Sequence, residues 1–184
     1  MKSLLTSIFV CGTMLGIAAA DDTIQKGPVQ VTKVREPRKE LRFQVVIPAP
    51  VEQVWHAFST SEGLMTWLWS DCIVDLRERG DWLVRYPGGN TGGGTILSFK
   101  PQRQMVLAAM APEKFPAVRK ERTTADFSFE SVDGTKTRVS LIQSGWKQGE
   151  EWDKAYDYLA NGNAMLLTQL YKRFVDGPID WTKK

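Results

Sequence analysis

Few side chains in this sequence have the types and spacing that chemistry requires. His56 is the only histidine, and it falls just off the apolar stripe of its own segment, so it reads as a surface residue. Of the two cysteines, Cys11 lies in an N-terminal leader and Cys72 stands alone in the rest of the chain. A single thiol offers no disulfide and no metal or redox spacing, and it reads as a small buried hydrophobe. Glu150, Glu151 and Asp153 cluster as a hard cation would need, but they open a helix, where the dipole already favours negative charge. Pro87-Gly88-Gly89-Asn90-Thr91-Gly92-Gly93-Gly94 has the glycine content of a phosphate loop. It lacks the Gly-Lys-Ser/Thr ending and no helix follows it, so a mobile hairpin is expected. General acid–base work needs a titratable group held inside a pocket. On the faces read as inward, Tyr86 and Tyr156 are the only clear candidates. No catalytic set, metal site or cofactor is therefore expected.

The elements that must position these residues are organised around one stretch. Gly149 to Phe174 reads as a long helix, with Trp152, Tyr156, Leu159, Leu166, Leu170 and Phe174 recurring on one face and Met165, Leu167 and Tyr171 widening it. Acids fill its first turn, Lys172 and Arg173 its last, and Asp176-Gly177-Pro178 stops it. Midway, Ala160, Gly162, Asn163 and Ala164 replace large side chains for about one turn. That dip in volume leaves two readings: an aromatic from a facing sheet fills it, or a ligand does.

The remaining segments read mainly as strands. Leu41 to Ile47 alternates with period two. Pro50 then starts a short helix burying Val51, Val54, Trp55 and Phe58, and Thr60 or Ser61 caps a second one through Leu68. Strand-like stretches follow at Ser70 to Arg77, Trp82 to Tyr86, Thr95 to Phe99, Met105 to Met110, Ala125 to Glu130 and Thr137 to Leu141. Asp133-Gly134 marks a tight turn between the last two. Ala111 to Thr123 reads as a loop, with Phe115 and Val118 placed to close over a pocket mouth. Residues 21–40 read as a basic N-terminal arm in which Val29 to Val34 forms an edge strand or an extended segment. Residues 176–184 read as a tail that is either surface-bound, with Trp181 pinning it, or frayed.

Composition sets broader bounds. The 184 residues suit one domain, and 42% hydrophobic content argues against disorder. A net charge of +3 is too weak to argue for nucleic acid. Seven tryptophans imply a large aromatic core or an aromatic-lined pocket. Lys2, the apolar run Leu4 to Ile17 and Ala18-Ala19-Ala20 have the form of a secretory signal peptide over residues 1–20, cleaved after Ala20. The expected product is secreted or periplasmic, with no stable membrane insertion, and loss of Lys2 takes its charge from +3 to about +2; an uncleaved membrane anchor is the alternative.

Two segments carry a resemblance to a known family. FQVVIPAPVEQVWHAFSTSEGLMTWL resembles the opening strand, helix and helix of the activator of heat-shock-protein-ninety ATPase homologues, a family of the START-like or SRPBCC superfamily. TRVSLIQSGWKQGEEWDKAYDYL resembles that family's last strand and the start of its final helix. The likeness spans Leu41 to Phe174, within an SRPBCC domain drawn at residues 41–175. It implies an α+β helix-grip fold: a curved antiparallel sheet wrapped around the long C-terminal helix, with a cavity between them that takes hydrophobic ligands in related domains. Combined with the strand alternation, it implies a lining of Trp67, Trp82, Val84, Leu97, Phe99, Leu107, Phe127, Leu141, Tyr156 and Asn163. The expected partner is a small hydrophobic or amphipathic molecule, bound without catalysis. A cyclase- or hydrolase-type enzyme using the same cavity, and an envelope protein-interaction or stress module, are the alternatives. The co-chaperone role transfers poorly, because the eukaryotic activators carry an additional N-terminal domain for which this sequence has no room.

Overall fold

The computed structural model describes residues 21–183, so the expected leader and its cleavage after Ala20 lie outside the described residues. In chain order the elements are β1 (Asp22–Lys26), β2 (Val29–Val34), β3 (Glu40–Ile47), α1 (Val51–Ser59), α2 (Ser61–Met65) and β4 (Cys72–Val74). They continue as β5 (Asp81–Arg85), β6 (Thr91–Lys100), β7 (Gln104–Ala109), α3 (Pro116–Glu121), β8 (Thr123–Ser131), β9 (Thr137–Ser144) and α4 (Glu150–Val175). The nine strands make one antiparallel sheet in the order β1-β2-β3-β9-β8-β7-β6-β5-β4. Helix α4 packs over β2 and β3. This is the expected α+β helix-grip arrangement.

Helix α4 forms where the apolar spacing put it, and it buries Trp152, Tyr156, Ala160, Ala164, Leu167 and Leu170. Ala160 and Ala164 belong to the main core, so part of the small-residue dip is close helix–sheet packing. Met165 points to solvent instead of widening the stripe. The acidic first turn has three separate uses. Glu150 pairs with Lys154, Asp153 pairs with Lys39, and Glu151 accepts from the backbone N–H groups of Ala117 and Val118 at 2.8 and 3.2 Å. Among the described residues no group of three acidic, cysteine or histidine side chains is placed to hold a metal ion.

Helices α1 and α2 close one end of the core around Phe58. The last turn of a helix leaves carbonyls without helical partners. Here Trp67 Nε1 donates to Ala57 O at 2.8 Å and Trp82 Nε1 donates to Phe58 O at 2.9 Å. Two buried indoles are thereby satisfied and α1 is fastened to β5. Thr60 caps α2 by accepting from Gly63 N at 2.9 Å. His56 is exposed.

Three segments differ from their sequence expectation. Residues 21–40 hold a hairpin, β1–β2, paired in register with β3. Val29, Val31 and Val34 are buried there, while Lys33 and Lys39 pair with Asp157 and Asp153 of α4. The Ala111 to Thr123 stretch is not all loop. Pro116–Glu121 is helical, and Phe115 and Val118 join Ala111, Trp152 and Ala155 in a second small core. The strand expected from Ser70 to Arg77 is confined to Cys72–Val74, because the backbone turns just after Asp75, where Arg77 N donates to Asp75 O and Gly80 N donates to Arg77 O. The tail is pinned. Trp181 donates to Met65 O and packs on Trp69, and Ile179 N donates to Thr66 O. Among the described residues no helix is long and apolar enough to cross a membrane.

Cys72 is the free cysteine of the described chain and is buried as expected. Burial pushes its thiol up to about 11, from an ordinary 9.0. A raised folded value means that the fold favours the protonated form. That contribution is complete below pH 9 and is lost as pH rises through about 11. Unfolding free energy is expected to decline with pH across this window, with a smaller decline in Cys72→Ala. An identical pH slope in the two proteins would contradict the assignment.

Candidate functional site

Between the sheet and α4 lies a cavity of about 120 Å³. Its floor is apolar: Trp82 and Val84 come from β5, Leu107 from β7, Ala125 and Phe127 from β8, and Leu141 from β9. These residues share the inner face because strand side chains alternate. Leu159, Asn163 and Leu166, on successive turns of α4, form the opposite wall. Leu68, Tyr86, Gly93, Ala109, Met110 and Gln143 complete the lining.

Of the residues inferred for the lining, Trp82, Val84, Leu107, Phe127, Leu141 and Asn163 meet in this cavity. The other four lie elsewhere. Leu97 is 47% exposed on the outer face. Ile96 pairs with Leu107 but Ser98 pairs with Val106, so Leu97 is the extra residue of a β-bulge. One added residue reverses the in–out parity of a strand. Ile96 therefore points inward, and beyond the bulge Phe99 packs on the core beside its partner Met105 without lining the cavity. Trp67 is buried in the aromatic cluster at Phe58. Tyr156 lies under the β2–β3 end of α4, where its hydroxyl lies 3.1 and 2.9 Å from the carbonyls of Val34 and Glu40 and donates toward them. Burial pushes that phenol up to about 12, so it remains a neutral hydrogen-bond donor.

Gln143 is the amide in the lining that sequence reasoning missed. It is 3% exposed and continues the inward face of Thr137, Val139 and Leu141 by one more step of two. That period was the available signal. Its Nε2 donates to Thr123 Oγ1 at 2.8 Å, and its Oε1 accepts from Asn163 Nδ2 at 2.7 Å. The cavity thus has one polar end, built from the amides of Gln143 and Asn163, with Thr123 holding Gln143 from behind.

Tyr86 is the one titratable side chain in the lining. Its pKa is raised, first by burial and then by the neighbouring Cys72 and Tyr158. Its ring packs on Trp69 at 5.6 Å and lies over Gly92, where an added Cβ would come within 3.3 Å of it. The expected hairpin is present: Pro87 to Asn90 turn the chain between β5 and β6, with Tyr86 N donating to Asn90 O at 2.8 Å, while Gly92, Gly93 and Gly94 belong to β6 itself. Gly93 has φ +108°, and a Cβ there would fall 2.0 Å from Trp82 O. Gly93→Ala is expected to cost about 1–3 kcal/mol and to displace Trp82, as read by urea unfolding. An unchanged midpoint would contradict that contact. Arg119 braces the same rim, donating to Thr91 O, Thr91 Oγ1 and Ala111 O at 3.2, 2.8 and 2.7 Å.

A larger concavity, about 920 Å³, lies between the 35–40 loop and Ser144 to Gln148. It is charged and open, and two of its cations are engaged, Lys39 with Asp153 and Lys147 with Glu121. The smaller apolar cavity is the one that the grip of sheet on helix builds.

A sheet folded against one long helix, with an apolar cavity between, defines a helix-grip domain of the SRPBCC superfamily. The chain belongs to the family described as Activator of Hsp90 ATPase homolog 1-like protein, whose family model matches residues 48–174. Among solved structures it is similar to the Aha1 dimer of Colwellia psychrerythraea, at 19% identity and TM-score 0.60, over 75% of this chain and 97% of that one. It is also similar to CalU16 of Micromonospora echinospora, at 18% identity and TM-score 0.56, over 89% of each chain. A Mesorhizobium loti protein, MLL2253, matches at 18% identity and TM-score 0.58, over 72% of this chain and 96% of that one. At these identities the likeness establishes the fold. No curated protein matches the sequence.

Proposed function

We propose that this chain is an exported, non-enzymatic binding domain that takes a small hydrophobic or amphipathic molecule between the sheet and α4. The observation that carries the reading is the cavity itself, an apolar floor with one amide-lined end and Tyr86 as its only titratable side chain. Its volume of about 120 Å³ fits a body the size of one aromatic ring and is too small for a long-chain lipid. Export rests on the leader pattern of residues 1–20.

Titration of the isotope-labelled protein with toluene tests the binding reading. Shifts confined to the methyls of Val84, Leu107 and Leu141 are expected, and their absence with both toluene and phenol at millimolar concentration would overturn it. Export is tested separately, by N-terminal sequencing of the protein after cell fractionation. An N-terminus at Asp21 outside the cytoplasm is expected, and a retained Met1 in the cytoplasm would overturn that part.

A further inference from the structure

Asn163 is a half-buried polar residue on the cavity-facing side of α4. Its neighbours on the cavity wall, Leu159 and Leu166, are both apolar. Its amide is nevertheless engaged on one side only, through Nδ2 to Gln143 Oε1. Gln143 in turn is held by Thr123. This bond chain fixes the orientation of the Asn163 amide. Its Oδ1 and its second N–H have no protein partner among the described residues.

That leftover capacity constrains the ligand. A charged ligand would lose its hydration against a lining that holds no carboxylate, lysine, arginine or histidine. A purely apolar ligand would cover Asn163 and leave its donor and acceptor unmatched. Sites built to hydrogen-bond a polar group discriminate strongly against analogues that lack it.

We propose that Asn163 is the specificity-determining residue of the cavity. It selects a small neutral molecule with an apolar ring and one group that can both donate and accept a hydrogen bond, a hydroxyl or a primary amide. This inference rests on the binding reading above. Phenol and toluene separate the two, because they have nearly the same shape and differ in the hydroxyl.

The experiment measures Kd for phenol, toluene and benzoate by NMR titration, on the wild-type protein and on Asn163→Ala. Phenol is expected to weaken by roughly ten-fold in the variant and toluene by less than about two-fold, with benzoate failing to enter the cavity. In the wild type, the Asn163 side-chain amide resonances are expected to shift with phenol far more than with toluene. That second readout holds even if Asn163→Ala folds poorly. Equal losses for phenol and toluene in the variant, or equal Asn163 shifts in the wild type, would overturn the selection by Asn163 and leave the binding reading standing. Binding of benzoate in the cavity would overturn it as well. Absence of cavity shifts with both neutral probes would overturn both.

Discussion

Phe58→Ala is expected to lower the unfolding free energy by about 3–5 kcal/mol. Phe58 is fully buried, and its ring centroid lies 4.7 Å from Phe127, 5.1 Å from Trp82, 5.3 Å from Phe129 and 6.3 Å from Trp67. Those rings come from three different segments, β8, β5 and the stretch after α2, so truncation removes contacts that tie α1 to the sheet and to the α2 region. The neighbours cannot easily collapse into the gap. Trp67 and Trp82 are each anchored by an indole N–H to the end of α1, through Ala57 O and Phe58 O. For a domain of this size the loss corresponds to roughly 6–20 °C in Tm. Urea unfolding measures it, and a loss below about 1.5 kcal/mol would mean that the aromatic cluster is not the centre of the core.

Ala125→Phe is expected to weaken toluene binding by at least about 100-fold, roughly 2.7 kcal/mol. Ala125 sits on β8 in register with Leu107 on one side and Gln143 on the other, all three facing the cavity. A phenyl ring built there occupies the space that an aromatic ligand would take. The accompanying stability change is expected to stay below that of Phe58→Ala, because the new ring fills existing space instead of leaving a void; overpacking costs about 1–3 kcal/mol. NMR titration with toluene reads the effect, with urea unfolding as the control. Wild-type affinity in Ala125→Phe would place the ligand somewhere other than this cavity.

The parts of the fold legible in the sequence are those set by local period and local caps. Helix α4 was readable because Trp152, Tyr156, Leu159, Leu166 and Leu170 repeat at helical spacing between an acidic start and a basic end. The inner faces of β8 and β9 were readable because Ala125, Phe127 and Phe129, then Thr137, Val139 and Leu141, alternate without interruption. Where a structure is held by distant partners, the pattern failed. Strand β1 is polar and exposed, and it is ordered by backbone pairing to β2. Helix α3 contains Pro116 and a charged run, and it is stabilised by the Glu151 carboxylate and by burial of Val118.

The site was legible to the same extent. Trp82, Val84, Leu107, Phe127 and Leu141 followed from alternation on strands that run true, and Asn163 from the volume dip on α4. Leu97 was misplaced because a bulge has no reliable signature in a single strand. Trp67 and Tyr156 are inward-facing, but the cavity occupies only part of the interior, and which part depends on how α4 crosses the sheet. Gln143 went unnamed because an amide on an apolar face has no evident purpose until Thr123 and Asn163 are seen on either side of it.

The most direct test of the central claim, that the grip cavity holds a small molecule, is native mass spectrometry. Wild type and Ala125→Phe would be purified from the native host without detergent and compared before and after denaturing extraction. The predicted result is a reproducible small added mass on the wild type that leaves on denaturation and is absent from Ala125→Phe. No added mass on the wild type, or the same mass on both proteins, would contradict it.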